Sequence, residues 1–153
     1  MRTSVPSTRL ALWLAVLLTA LVGSTLVAPA ADASMTTSKR HQVLRVAASK
    51  KGTPYRYGAT GPRAFDCSGY TRWVFARVGK HLPRTSSAQA QATRRIRARN
   101  RRIGDLVFFR SGGHVYHVGI YAGHNRIWHA PRTGERVHLE RIWTRAVVYG
   151  RVR

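Results

Sequence analysis

Residues 104–130 read GDLVFFRSGGHVYHVGIYAGHNRIWHA, and the fold is decided there. Gly104-Asp105 turns the chain into Leu106 to Phe109, an apolar run rich in β-formers. Val115 to Tyr121 and Arg126 to Ala130 read as two further strands folded about Gly123. Beyond them, Val137 to Leu139 and Ala146 to Val152 complete a strand-rich C-terminal half. Toward the N-terminus the apolar period changes from two to that of a helix. Arg40 to Lys51 places Val43, Leu44, Ala47 and Ala48 at helical spacing, and Gly52-Thr53-Pro54 stops it. Asp66 to Val78 forms a second helix with Asp66 as its N-cap and Tyr70, Val74, Phe75 and Val78 on one face. Thr85 to Thr93 is a short third helix. Helices first and strands second predict an α+β domain with an antiparallel sheet.

The chain has 153 residues and a net charge of +22. Its first 33 residues run from a basic start (Arg2, Arg9) through the apolar segment Leu10 to Val22 into the small residues VAPAADA. That order predicts a secretory signal peptide over 1–33, cleaved after Ala30 or Ala33. Residues 34–41 are expected to be disordered, and 42–153 to form one folded domain. A cut after Ala33 removes Arg2, Arg9 and Asp32, leaving 25 Lys and Arg against four acids, a net +21. Such a charge strengthens attraction to polyanions without naming one. Six arginines fall within Arg94 to Arg102, read as a solvated loop or edge strand, with a polyanion-binding patch as the alternative. The four acids, Asp66, Asp105, Glu135 and Glu140, offer few pairs for the two carboxylates of a glycosidase and no cluster for calcium.

Cys67 is the one cysteine in a chain that reads as secreted. It falls in the first turn of the second helix, where free N–H groups and partial positive charge favour thiolate. A thiol nucleophile needs a base and a group that orients the base. Of seven histidines, His117 and His129 lie on neighbouring strands. With Ala122-Gly123-His124 as the loop the two face one another, about 4.5 to 5.5 Å apart at Cβ. A two-residue loop shifts that register. In this reading Cys67 attacks a carbonyl carbon, His117 carries the proton, and His129 orients His117. A Cys/His/His zinc site is the competing use of these residues, weakened by the absence of a close ligand pair on one face.

The blocks Asp66-Cys67-Ser68-Gly69-Tyr70, His117-Val118-Gly119-Ile120-Tyr121 and His129-Ala130-Pro131 resemble the NlpC/P60 family of papain-like cell-wall endopeptidases. Gly52 to Gly58, Leu82 to Ser86 and Gly104 to Phe109 match in the same order, from about Val43 to the C-terminus. The resemblance implies a papain-like fold and a catalytic triad of Cys67, His117 and His129. It also implies that Tyr55 lies at the active site and that Asp66 and Ser68 bind the free amino end of the substrate. The implied substrate is the peptidoglycan stem peptide, cut between D-glutamate and a diamino acid, with no metal or organic cofactor. One departure is Tyr57-Gly58-Ala59, where many members carry an aromatic residue followed by two glycines.

The expected protein is therefore a secreted or wall-associated monomer acting on stem peptides. Its basic surface would meet anionic wall polymers, with no specific nucleic acid and no membrane span after processing. An amidase or acyltransferase of the same fold is the nearest alternative. A non-catalytic basic polyanion-binding protein explains the charge but not a lone cysteine at a helix start.

Overall fold

A computed structural model describes residues 35–153; the expected signal peptide over 1–33 lies outside the described residues. Three helices, α1 (Thr37–Ala48), α2 (Cys67–Ala76) and α3 (Ser86–Ala92), precede six strands. The strands are β1 (Arg94–Ile96), β2 (Leu106–Ser111), β3 (His114–Gly123), β4 (Arg126–His129), β5 (His138–Arg141) and β6 (Val147–Arg151). They form one antiparallel sheet in the order β1-β6-β2-β3-β4-β5. The α+β architecture read from the sequence is the one observed.

Alternation along β2 and β3 sends side chains to two faces. Leu106, Phe108, Val118 and Ile120 meet Val43 and Ala47 of α1 and Tyr70, Val74 and Phe75 of α2 in the main core. The tyrosine hydroxyl of Tyr70 donates to the Ala47 carbonyl at 2.9 Å and fixes the two helices to each other. On the opposite face Val107, Phe109, Tyr121, Ile127 and Tyr149 form a second, smaller cluster. Gln89 of α3 is fully buried and bonds the Ser68 and Pro83 carbonyls at 2.9 Å each, which anchors α3 to the start of α2.

Of the segment 34–41, expected to be disordered, the described residues 35–41 are ordered instead. Thr36 caps α1 by accepting from the Lys39 N–H, and Met35 and Arg40 are buried. Their order follows from one acid. Asp105, fully buried, accepts from Arg40 Nη1 at 3.0 Å and from Arg151 Nε and Nη2 at 2.9 and 2.8 Å, and also from the Arg102 N–H. Arg40 has a partner inside the domain, so the helix starts three residues earlier than the apolar spacing indicates.

The arginine-rich stretch is an edge strand followed by a 3-10 turn (Ala98–Asn100), as expected of an edge. Arg101 departs from a purely solvated reading. Its guanidinium lies over the Tyr121 and Tyr149 rings, 5.3 and 5.5 Å from their centroids, and covers the second cluster.

The hairpin between β3 and β4 also differs. Its turn is the two-residue His124-Asn125, both at positive φ, preceded by a bulge at Ala122. Ile120 pairs with Trp128 and Tyr121 with Ile127. One step further, this register sets His129 across from Gly119 rather than His117. The displacement is two residues, so His117 and His129 keep the same face and become diagonal neighbours, about 7 to 8 Å apart and within reach of long side chains.

Candidate active site

Asp66 builds the start of α2. Its carboxylate caps the helix by accepting the Gly69 N–H at 2.7 Å and also accepts the Gly58 N–H at 3.0 Å. This brings the 58–60 loop onto the first turn, and Gly69 permits it: a Cβ there would come 2.2 Å from the Ala59 carbonyl oxygen. Cys67 follows as the first helical residue, half-buried, with its sulfur toward main-chain groups of Val118 and Ser68. The site therefore joins a helix start to the middle of a strand.

His117 stands beside a bulge. Phe109 pairs with His117 but Arg110 pairs with Val115, leaving Tyr116 as the extra residue. The bulge turns Tyr116 outward to the rim and keeps His117 inward. Tyr55, Cys67, Tyr116, His117, His129 and Trp143 line one cleft of about 470 Å³. His117 Nε2 lies 2.9 Å from His129 Nδ1. His129, fully buried, places its other nitrogen, Nε2, 2.9 Å from Glu140 Oε2 but off the line of a hydrogen bond. A chain of Cys67, His117, His129 and Glu140 thus shares the cleft.

The electrostatics favour neutral groups. Burial pushes His117 down to about 4. His129 falls to about 3 through burial, with His117 and His138 adding to it. The Cys67 thiol moves up rather than down: burial leads, the Asp66 carboxylate adds, and hydrogen bonds from Val118 and Ser68 oppose. This direction runs against the expectation that the helix start favours thiolate. The carboxylate that caps the helix is a fixed negative charge beside the sulfur, and burial disfavours any charge there. Both shifts favour the neutral thiol and the neutral imidazole.

With the His129 hydrogen on Nε2, the nitrogen nearer Glu140, its Nδ1 accepts from His117 Nε2–H. His117 Nδ1 is then bare and able to take the thiol proton. The chain sets a tautomer. Glu140 was visible in the sequence as one of four acids, two residues from His138, but only the β4–β5 pairing of His129 with His138 brings it to the site. Trp143 was not legible. It leaves β5 in a connecting segment and stacks on Phe109 at 4.0 Å, and its ring centroid lies 5.8 Å from that of His117 and 5.6 Å from that of His129. It shields the histidine pair from water on the second face of the sheet.

Of the residues expected at the site, Cys67, His117, His129 and Tyr55 come together. Asp66 and Ser68 do not line the cleft; they are 6% and 5% exposed. Arg84 grips Asp66 with both Nη atoms and donates to Ser68 Oγ at 3.0 Å. An ammonium group could reach this carboxylate only by displacing a guanidinium.

Among the described residues, His129, His138 and Glu140 are the group with donor atoms close enough for a metal ion. It does not include Cys67.

The sequence and fold compare with known proteins as follows. A "Probable endopeptidase" of Corynebacterium glutamicum is 48% identical over 103 residues, covering 67% of this chain and 48% of that protein. The "Bifunctional muramidase/DL-endopeptidase CwlT" of Bacillus subtilis is 41% identical over 96 residues, covering 60% of this chain and 29% of that protein. The chain thus spans half or less of these relatives' lengths. The crystal structure of the NlpC/p60 domain of the peptidoglycan hydrolase SagA superposes with a TM-score of 0.67 at 34% identity, over 74% of this chain and 97% of that one. The NlpC/P60 family model matches residues 52–150, and the chain belongs to the NlpC/P60 family.

Proposed function

We propose that the protein is a secreted cysteine endopeptidase that hydrolyses amide bonds in peptidoglycan stem peptides. The observation that carries this reading is the convergence of Cys67, His117 and His129 on one cleft, with the two rings 2.9 Å apart. Cys67 Sγ attacks the carbonyl carbon as its proton passes to His117 Nδ1. The tetrahedral oxyanion lies near the N–H groups at the start of α2. The imidazolium returns the proton to the leaving amine, and an acyl-enzyme forms. Water, losing a proton to His117, then attacks the thioester and frees the acid and the thiol.

The bond is proposed to be the one between D-glutamate and the diamino acid, a reading supported by the relative named as a DL-endopeptidase. Because Arg84 occupies Asp66, we expect stems still attached to glycan to be cut at least as well as stems with a free amino end. A net charge of +21 after processing supports retention on anionic wall polymer. An amidase or acyltransferase would give different product masses.

The test is mass spectrometry of defined muropeptides incubated with wild type and Cys67→Ala. A fragment cut within the stem by wild type alone identifies the bond. No cleavage by folded wild type across several stem types would overturn the reading.

A further inference from the structure

We propose that His129, His138 and Glu140 form a binding site for a divalent metal of the zinc type, and that the bound ion switches the catalytic histidine into the wrong tautomer. The switch rests on the peptidase reading above; the metal site does not.

The three residues offer Nε2, Nε2 and a carboxylate oxygen, all within 4.8 Å of one another. Glu140 Oε2 lies 2.9 Å from His129 Nε2 and 3.4 Å from His138 Nε2. His129 Nε2 is buried and has no hydrogen-bond partner, an uncommon state for a buried polar atom. Its side chain is 1% exposed, whereas those of His138 and Glu140 are 37% and 43% exposed and free to close on an ion. The outer nitrogens are already held. His138 Nδ1 lies 2.8 Å from the Arg136 carbonyl, a contact that puts a hydrogen on Nδ1 and leaves Nε2 bare. His129 Nδ1 is held by His117. Metal-binding histidines are oriented by such second contacts. Two imidazoles and one carboxylate match a tetrahedral zinc site with one open position, and suit magnesium or calcium poorly.

The consequence for His117 follows from counting protons. Without metal, His129 carries its proton on Nε2 and accepts from His117 Nε2–H. An ion on His129 Nε2 displaces that proton to water. The proton in the bridge then moves from His117 Nε2 to His129 Nδ1, and His117 takes one back from water on Nδ1. No net proton is lost from the two rings. His117 now presents N–H to Cys67 in place of a lone pair, and the base is disabled while every side chain stays in position.

The experiment is equilibrium dialysis of zinc, with magnesium as control, against wild type, Cys67→Ala and His138→Gln. Hydrolysis is measured beside it, with ¹⁵N shifts of the His117 ring. Wild type and Cys67→Ala should each bind one zinc, and His138→Gln should bind about 10- to 100-fold more weakly. Zinc should stop hydrolysis by wild type and move the His117 proton from Nε2 to Nδ1. His138→Gln should keep its metal-free activity and need correspondingly more zinc for inhibition. Zinc binding lost in Cys67→Ala but kept in His138→Gln would place the ion on the thiol and overturn the site. Binding at the site with no change in His117 would overturn the switch. A wild type that binds zinc but cuts no muropeptide would defeat the peptidase reading and leave the site standing.

Discussion

Two of the four acids outside the expected signal segment do opposite work. Asp105 is fully buried and both its oxygens are occupied, by Arg40, Arg151 and the Arg102 N–H. Glu140 is half-exposed and its partner, His129 Nε2, is near but off line. The first carboxylate is fully engaged and holds α1 and β6 to the start of β2, although Arg40 Nη2 beside it is itself buried without a partner. The second is open and leaves a buried nitrogen with capacity to spare. The difference lies in the two carboxylates: Asp105 has both oxygens engaged and fixes the fold, whereas Glu140 keeps free capacity beside a buried histidine nitrogen.

The sharpest way to break this comparison is Asp105→Ala. It leaves two buried guanidinium groups without their anion and should cost about 3 to 5 kcal/mol. Denaturant unfolding should show the loss, and remaining folded protein should retain its turnover number. If stability hardly changes and turnover collapses, the closed cluster is not structural. Glu140→Gln should behave in the reverse sense. We expect kcat to fall on the order of tenfold, below the full 10²- to 10⁴-fold worth of acid–base catalysis, with unfolding nearly unchanged. A Glu140→Gln variant as active as wild type would remove Glu140 from the proton chain.

The pH dependence sharpens the point further. His117 must be neutral to act as base, and burial holds it down to about 4. The acid limb of kcat/KM should therefore lie far below the ordinary imidazole value of about 6.5, and activity at pH 5 should approach that at pH 7. A limb near 6.5 would mean a solvated ring. Stability carries the same sign. Both histidines have folded values below their unfolded one, so the unfolded chain binds more protons as pH falls. Their contribution is complete above about 6.5 and is lost as pH drops through the folded values. Thermal melts from pH 7 to 4 should decline, and less so in His129→Asn.

The smallest expected effect concerns the surface. Retention on anionic wall polymer should weaken steadily with salt, because exposed charges are screened over about 8 Å at physiological ionic strength. Binding unchanged in high salt would point to a shaped site instead.

The strands, the helices and the nucleophile were legible because each rests on local pattern: alternation in 106–121, helical spacing after Asp66, a cysteine behind a capping acid. What escaped depends on contacts across the sequence. Arg40 falls in the segment 34–41 expected to be disordered, and its order comes from Asp105, 65 positions away. Asp66 and Ser68 looked available to substrate until Arg84 covered them. Trp143 carries no periodic signal, and Glu140 enters only through the β4–β5 pairing. The thiol's direction escapes a local reading because burial, which raises it most, is a tertiary property, and the capping carboxylate then adds a negative charge beside the sulfur.

The His124-Asn125 turn has a wider consequence. The expected and the observed register differ by two residues, yet the histidines still meet. A difference of one would have sent His129 to the helical face, cutting the proton chain, and would have taken Ile127 out of the second cluster with it. The site is thus guarded by the parity of a hairpin rather than by its length. A register slip of two keeps the histidines on one face, and a slip of one costs the apolar cluster and the chemistry together.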